Sequence, residues 1–187
     1  RSVIGQDGSD PAGFVKVESQ GLHTVVYLSR FSMVELDGAK FESYLKDEGL
    51  EAISKARARR NETGRPAKDR FLRCAKAIIP IGDGGHKGFN RVFGLPLELV
   101  AEADPVSAPG PLPVRLLWQG KPLKRALVVA FSQAAPAQKI RLRTDDAGRV
   151  RLPSAAGGLW LGKSVHMRPA GSGGPASEWE SYWAALT

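Results

Sequence analysis

Three histidines, one cysteine and a scatter of carboxylates are the residues of this chain with chemistry to offer. His23 and His166 each lie in a stretch rich in β-branched and aromatic residues, where a histidine ordinarily hydrogen-bonds to backbone and serves the structure. His86 lies in the glycine-rich run Gly82–Asn90 and reads as solvated. None of the three belongs to a His-Glu-x-x-His helix or to a close histidine pair. Because β folds bring distant histidines together, His166 and His23 are the candidate metal ligands, and their spacing neither supports nor excludes a site. Neutral imidazole suits nickel, cobalt and zinc without a thiolate. Two histidines leave most coordination positions to water, so such a site would be weak.

The remaining constellations argue against an enzyme. Cys74 is the only cysteine, so the chain has no internal disulfide and no Cys-x-x-Cys pair for zinc or redox work. Within the apolar stretch Phe71–Ile81 it reads as a core thiol. There is no Gly-x-Ser-x-Gly elbow, and Gly82–Asn90 lacks phosphate-loop spacing. No carboxylate pair is marked as general acid and base; Glu98, between Leu97 and Leu99, is expected on the exposed side of a strand. Asp145-Asp146-Ala147-Gly148 begins like a calcium loop but lacks the later ligands and reads as a hairpin turn. No catalytic residue is expected.

Charge narrows the partners. The net charge is +8, and the window Lys55–Lys76 holds nine basic residues against two acidic ones, a net +7. A patch of this kind attracts anionic surfaces. Nucleic-acid binding would want aromatics interleaved with the basic side chains, and the window has only Phe71. The patch therefore reads as a solvated basic helix end, and nucleic acid is not an expected partner. No apolar run is long enough to cross a bilayer. The chain does not open on a signal peptide; a signal removed on export would leave a periplasmic or secreted location open.

The elements that must position these residues are mostly strands. High glycine and proline content, 21 and 13 residues, favours turns and short strands over long helices. Phe14–Glu18 and His23–Ser29 read as a hairpin about Ser19-Gln20-Gly21. Asp37 is an N-cap residue, and apolar positions at helical spacing continue to about residue 60, with Gly49 making two short helices as plausible as one. Phe71–Ile81 and Leu95–Val100 read as strands. The proline-bearing stretch Ala103–Pro113 reads as an extended linker, which divides the chain into 1–104, a β domain with a helical insert near 37–60, and 105–187. In the second segment strands are expected at Leu112–Trp118, Leu123–Phe131, Lys139–Thr144, Arg149–Leu152, Leu159–Met167 and Glu178–Leu186, with turns such as Gly157-Gly158 between them. This regular spacing is an antiparallel β-sandwich pattern, with Trp160 expected inside it. The expected register of Lys139–Arg143 against Arg149–Leu152 sets Arg143 opposite Arg149.

Several runs together resemble a bacterial family of unknown function often labelled the periplasmic component of a cobalt or nickel transport system. They include Gly21–Arg30, Phe41-Glu42-Ser43-Tyr44-Leu45, Gly94-Leu95-Pro96-Leu97-Glu98-Leu99 and Gly158-Leu159-Trp160-Leu161. Val165-His166-Met167 and Trp179-Glu180-Ser181-Tyr182-Trp183 complete the likeness, and Gly120-Lys121-Pro122-Leu123 is similar to transthyretin-like and carboxypeptidase-regulatory-like modules. The resemblance implies a mainly β fold with a helical insert and a second, transthyretin-like or Ig-like sandwich module. It also implies an accessory binding protein of the envelope, with nickel or cobalt as its ligand and a membrane transport component as its partner. The family's opening His-Asp-x-Trp-like strand is not found in this chain, which would remove a ligand if the metal site uses it. The alternative is a structural or adhesion-type sandwich that binds a protein or glycan and no metal.

Overall fold

The computed structural model describes residue 5 and residues 8–11, 13–153, 158–171 and 178–187; the expected turn at Gly157-Gly158 falls partly outside them. The strands are β1 (Gly21–Leu28), β2 (Ser32–Leu36), β3 (Ala67–Ile81), β4 (Leu97–Ala101), β5 (Leu112–Trp118), β6 (Lys121–Pro122), β7 (Leu127–Ser132), β8 (Ile140–Arg143), β9 (Arg149–Leu152), β10 (Trp160–Pro169) and β11 (Trp179–Leu186). They form two sheets. The large sheet runs β1-β3-β11-β10-β7-β8, with β2 also on β3, and the small sheet runs β4-β5-β6, with β9 also on β5. The fold is mainly β, a two-sheet sandwich with a small helical insert, α1 (Gly38–Asp47) and α2 (Glu51–Arg59).

Strand β3 organises the large sheet. Its fifteen residues pair with β1 over Cys74–Ile81 and with β2 over Ala67–Phe71 on one edge. On its other edge it pairs with β11, in parallel. The large sheet is thus shared by the segments 1–104 and 105–187. Phe14–Glu18 is not a strand, and the expected hairpin does not form; Phe14 is 86% exposed. Pairing β1 with β3 brings Val26 onto the core between the sheets, a burial that the local hairpin alone would not supply.

That core gathers Leu72 and Cys74 from β3, Leu97 and Leu99 from β4, Val114 and Leu116 from β5, and Tyr182 and Leu186 from β11. Gly162 of β10 faces Leu152 of the small sheet. A Cβ there would stand 2.9 Å from Leu152 Cδ1. Trp160 is half-buried and not enclosed, whereas Trp179 is fully buried on the other face of the large sheet. Segments 139–143 and 149–152 do not pair with each other. Strand β8 joins β7 and β9 joins β5, so the turn Asp145–Gly148 carries the chain from one sheet to the other. Leu142, Val150 and Leu152 then reach the same core from opposite sheets, which satisfies the burial the hairpin register was meant to satisfy. Arg143 instead meets Glu51, and Arg149 meets Glu102 with Nε 2.7 Å from Oε2.

The helices cover the outer face of the large sheet. Asp37 caps α1, its Oδ1 accepting from the Lys40 amide at 2.9 Å. Gly49 separates the helices: its φ is +65°, and a Cβ there would stand 2.8 Å from Leu127 Cβ. Phe41, Leu45 and Ile53 pack on Val165, Met167 and Trp179. Arg57, expected in a solvated basic face, is buried. Its Nη2 donates to the carbonyls of Glu62 and Arg65 at 2.7 Å each, so it fastens the turn after α2.

Beneath the helices lies Asp69, 2% exposed, whose Oδ2 accepts from the Ser181 hydroxyl at 2.6 Å and whose Oδ1 has no partner. Burial pushes its carboxyl up to about 6, against the opposing hydrogen bonds from Ser181, and the Glu180 charge adds to the rise. The folded state therefore holds this proton more tightly than the unfolded chain does. That contribution to stability is complete at pH values below the ordinary carboxylate range and is lost as pH rises to about 6. The loss amounts to roughly 3 kcal/mol by the usual conversion. Asp69→Asn should remove this component, so urea unfolding at several pH values between 4 and 7.5 should show a shallower fall for the variant. Parallel pH profiles for the two proteins would contradict the assignment.

Candidate functional site

The two ends of the sandwich differ in chemistry. At one end, charged and aromatic side chains fill the space beside β10 and β11. Glu180 receives Arg70 (Nη2 to Oε2, 2.7 Å), Arg168 (Nη2 to Oε1, 2.9 Å) and the Tyr182 hydroxyl. Burial works to raise the Glu180 carboxyl, but the two guanidinium groups outweigh it and hold it low. Tyr182 meets Trp118 at a ring-centroid distance of 4.6 Å, and Phe31 at 5.9 Å. One carboxylate is shared by two guanidinium groups and a phenol, which leaves the cluster one positive charge in excess.

His166 belongs to this end. Its ring lies 4.5 Å from Trp118, centroid to centroid, and is half-buried. Burial, and then the Arg168 charge, hold its imidazole below the ordinary histidine range, so the neutral ring is favoured. His23 is elsewhere, on β1, with Nε2 3.0 Å from the Ser19 carbonyl. In the strand register His23 aligns with Ile79 of β3, whereas His166 aligns with Tyr182 and through it with Leu72. That places them seven residues apart along β3, about 23 Å at ~3.3 Å per residue, and on opposite faces of the sheet. The structure does not bring the two candidate ligands together. Among the described residues no group of three or more His, Cys, Asp or Glu side chains is placed to hold a metal ion.

At the opposite end the sheets part around a cavity of about 520 Å³. Ile78 and Leu186 line it from β3 and β11, Trp160 from β10, Leu112 and Leu152 from the small sheet, and the turn 105–110 covers one side. This turn is the stretch that reads as an extended linker in the sequence. It folds because Asp104 gathers it. Oδ1 accepts from the Val106 amide at 2.9 Å, Oδ2 accepts from the Ser107 hydroxyl, and the Asp104 carbonyl accepts from the Ala108 amide at 2.9 Å. His86 donates through Nδ1 to Asp104 Oδ2 at 2.8 Å, which ties the glycine loop to the turn. Burial works to raise the Asp104 carboxyl, but the hydrogen bonds from Ser107, Val106 and His86 keep it below the usual carboxylate range. Ser107 gives its proton to Asp104 and not to His86, so the trio is not arranged as a nucleophile with its base. Its role is to hold one wall of the cavity.

Sequence reasoning missed this end. The cavity is a tertiary feature, but the pattern Asp104-Pro105-x-Ser107, an aspartate followed by proline and a hydroxyl residue, is turn chemistry that marks the wall. Glu98, expected outside, is 1% exposed. Residues 93–95 lie over it, and the Phe93, Gly94 and Leu95 amides donate to its carboxylate at 2.9, 3.0 and 3.1 Å. Cys74 is buried, and burial pushes its thiol up, away from nucleophilic chemistry.

The chain belongs to the family described as Domain of unknown function (DUF4198), whose model matches residues 3–168. No curated protein and no solved structure matches it.

If Asp104 holds the turn, Asp104→Ala should cost about 1–3 kcal/mol, because it strips partners from two backbone or hydroxyl donors and from His86. His86→Ala should cost less. Urea denaturation gives the two values, and hydrogen exchange should show the Val106 amide losing protection in Asp104→Ala. An unchanged midpoint with unchanged exchange at Val106 would contradict the role.

Proposed function

We propose that this member of the DUF4198 family is an accessory binding protein of the bacterial envelope that holds a ligand at the open end of its sandwich and does no chemistry on it. The observation that carries the reading is the cavity of about 520 Å³ between the sheets. It lies in the size range of small-molecule sites and is walled mostly by apolar side chains. The polar groups of the covering turn support holding over catalysis, since Asp104, His86 and Ser107 are engaged with one another. A periplasmic or secreted location, with a membrane transport component as partner, accords with the runs that resemble the periplasmic component of a transport system. The Gly120-Lys121-Pro122-Leu123 segment accords with a transthyretin-like module. No described helix is long and apolar enough to cross a membrane.

Ala108 lines the cavity from the turn and is partly exposed, so a bulky residue there fills the space with little effect on the core. Titration with the neutral fluorescent probe N-phenyl-1-naphthylamine should show one saturable site, with Ala108→Trp weakening it at least tenfold (about 1.4 kcal/mol). Non-saturable uptake, or equal uptake by both proteins, would reject the cavity as the binding place.

Nickel or cobalt as cargo is the second reading, favoured by one observation: the His166 ring is held in the neutral, ligating form. Since His23 lies apart, His166 would supply one ligand and solvent the others, so the site would be weak. Calorimetric titration of nickel and zinc should then show weak binding that His166→Ala abolishes. Equal heats from both proteins would remove His166 from the metal reading.

A further inference from the structure

Resting on the reading that the cavity holds a ligand, we infer that it selects an uncharged, apolar, ring-bearing molecule and turns away anions. None of the described residues lining the cavity has an ionisable side chain. His86 and Asp104, reached through Ser107, are paired with each other at 2.8 Å. A charged ligand would therefore lose its hydration and find no counter-charge, which is the costly way to bury a charge. This preference runs against the field of the whole protein. A net charge of +8 draws anions toward the surface, so favouring a neutral molecule over its anionic analogue would be the signature of the cavity and not of the surface.

The walls also speak to ligand shape. Trp160 offers an aromatic face, and Pro80, Pro105, Pro109 and Pro153 offer rigid apolar faces around it. Proline loses no side-chain rotamer freedom when a ligand covers it, and an indole favours stacked or edge-on contact with another ring. A flat ring gains on both counts, whereas a flexible chain gives up its own torsional freedom to fit. Ser107 and Thr187 both bring hydroxyls to the lining, and that of Ser107 already donates to Asp104 and leaves only its oxygen to accept a hydrogen bond. A polar substituent on the ring is therefore accommodated beside Ser107 as a donor.

The test uses two probes with the same ring system, N-phenyl-1-naphthylamine and its sulfonated analogue 8-anilino-1-naphthalenesulfonate, with 1-decanol as an uncharged chain competitor. Each is measured with the whole chain and with Ala108→Trp. The expected result is a Kd at least tenfold lower for the neutral ring than for the sulfonate, lost in Ala108→Trp, with decanol displacing the neutral probe only at much higher concentration. If both rings bind alike and both are lost in Ala108→Trp, the cavity stands as a binding site and the exclusion of anions is overturned. If decanol competes as well as an equal concentration of ring compound, the preference for a ring is overturned. If neither probe responds to Ala108→Trp while far-ultraviolet circular dichroism shows the variant folded, both this inference and the cavity reading fall.

Discussion

Lys76 and Glu98 form an ion pair inside the protein, Nζ to Oε1 at 2.9 Å, with the side chains 3% and 1% exposed. Taking two charges out of water costs several kcal/mol per ion unless the geometry returns it. Here the carboxylate also accepts from the three successive amides of residues 93–95, and the ammonium lies 5.5 Å from the Phe93 ring centroid. Burial draws the Lys76 amine down from its ordinary range, and the hydrogen bond and charge of Glu98 act against that. The pair joins β3 of the large sheet to β4 of the small one and folds the chain before β4 back onto it. Ile78, two residues beyond Lys76, lines the cavity, and the Lys76 carbonyl accepts from the Thr187 amide at 3.0 Å. Displacing either charge would leave the other buried without its counter-charge.

From that clamp the molecule divides its chemistry. One end of the sandwich is polar, with Glu180 shared by Arg70 and Arg168, while the other is apolar and open. The helical layer is fixed to the outer face by a different set of charges. Arg143 meets Glu51, Lys163 meets Glu48, and Arg141 donates to the Lys46 carbonyl in the last turn of α1 at 3.4 Å. Cations at a helix C-terminus are favourably placed against its dipole. Part of the positive charge that reads as a solvated patch also holds elements together, through Arg57, Arg70 and Lys76. Arg57 is the clearest case, since a guanidinium has enough donors to satisfy a whole turn.

Local signals carried a large part of this architecture. The N-cap at Asp37, the break at Gly49 and the strands β5 and β9 follow from residue type and spacing, because each depends on neighbours in the chain. Pairing depends on partners far away, and there the sequence misled. Phe14–Glu18 alternates like a strand, but alternation states only that one face differs from the other and not that any sheet will receive it. The turn at Asp145–Gly148 has the chemistry of a hairpin, yet the same chemistry serves a crossing between two sheets. Glu98 fails for a related reason. Polar–apolar alternation predicts exposure only if nothing covers the polar side, and a covering loop whose amides need an acceptor reverses the outcome. The cavity was illegible because its walls come from six segments, although the Asp104 turn that closes it leaves a local trace.

A double-mutant cycle on Lys76 and Glu98 tests the central claim, that a buried ion pair holds the two sheets together. Lys76→Met, Glu98→Gln and the double variant would be unfolded in urea at one pH and compared with the parent. The expected result is that each single variant loses about 3–5 kcal/mol, while the double variant loses clearly less than the sum because no lone charge is left behind. Single losses below about 1 kcal/mol that simply add would show the sheets to be held by apolar packing alone, and would contradict the account.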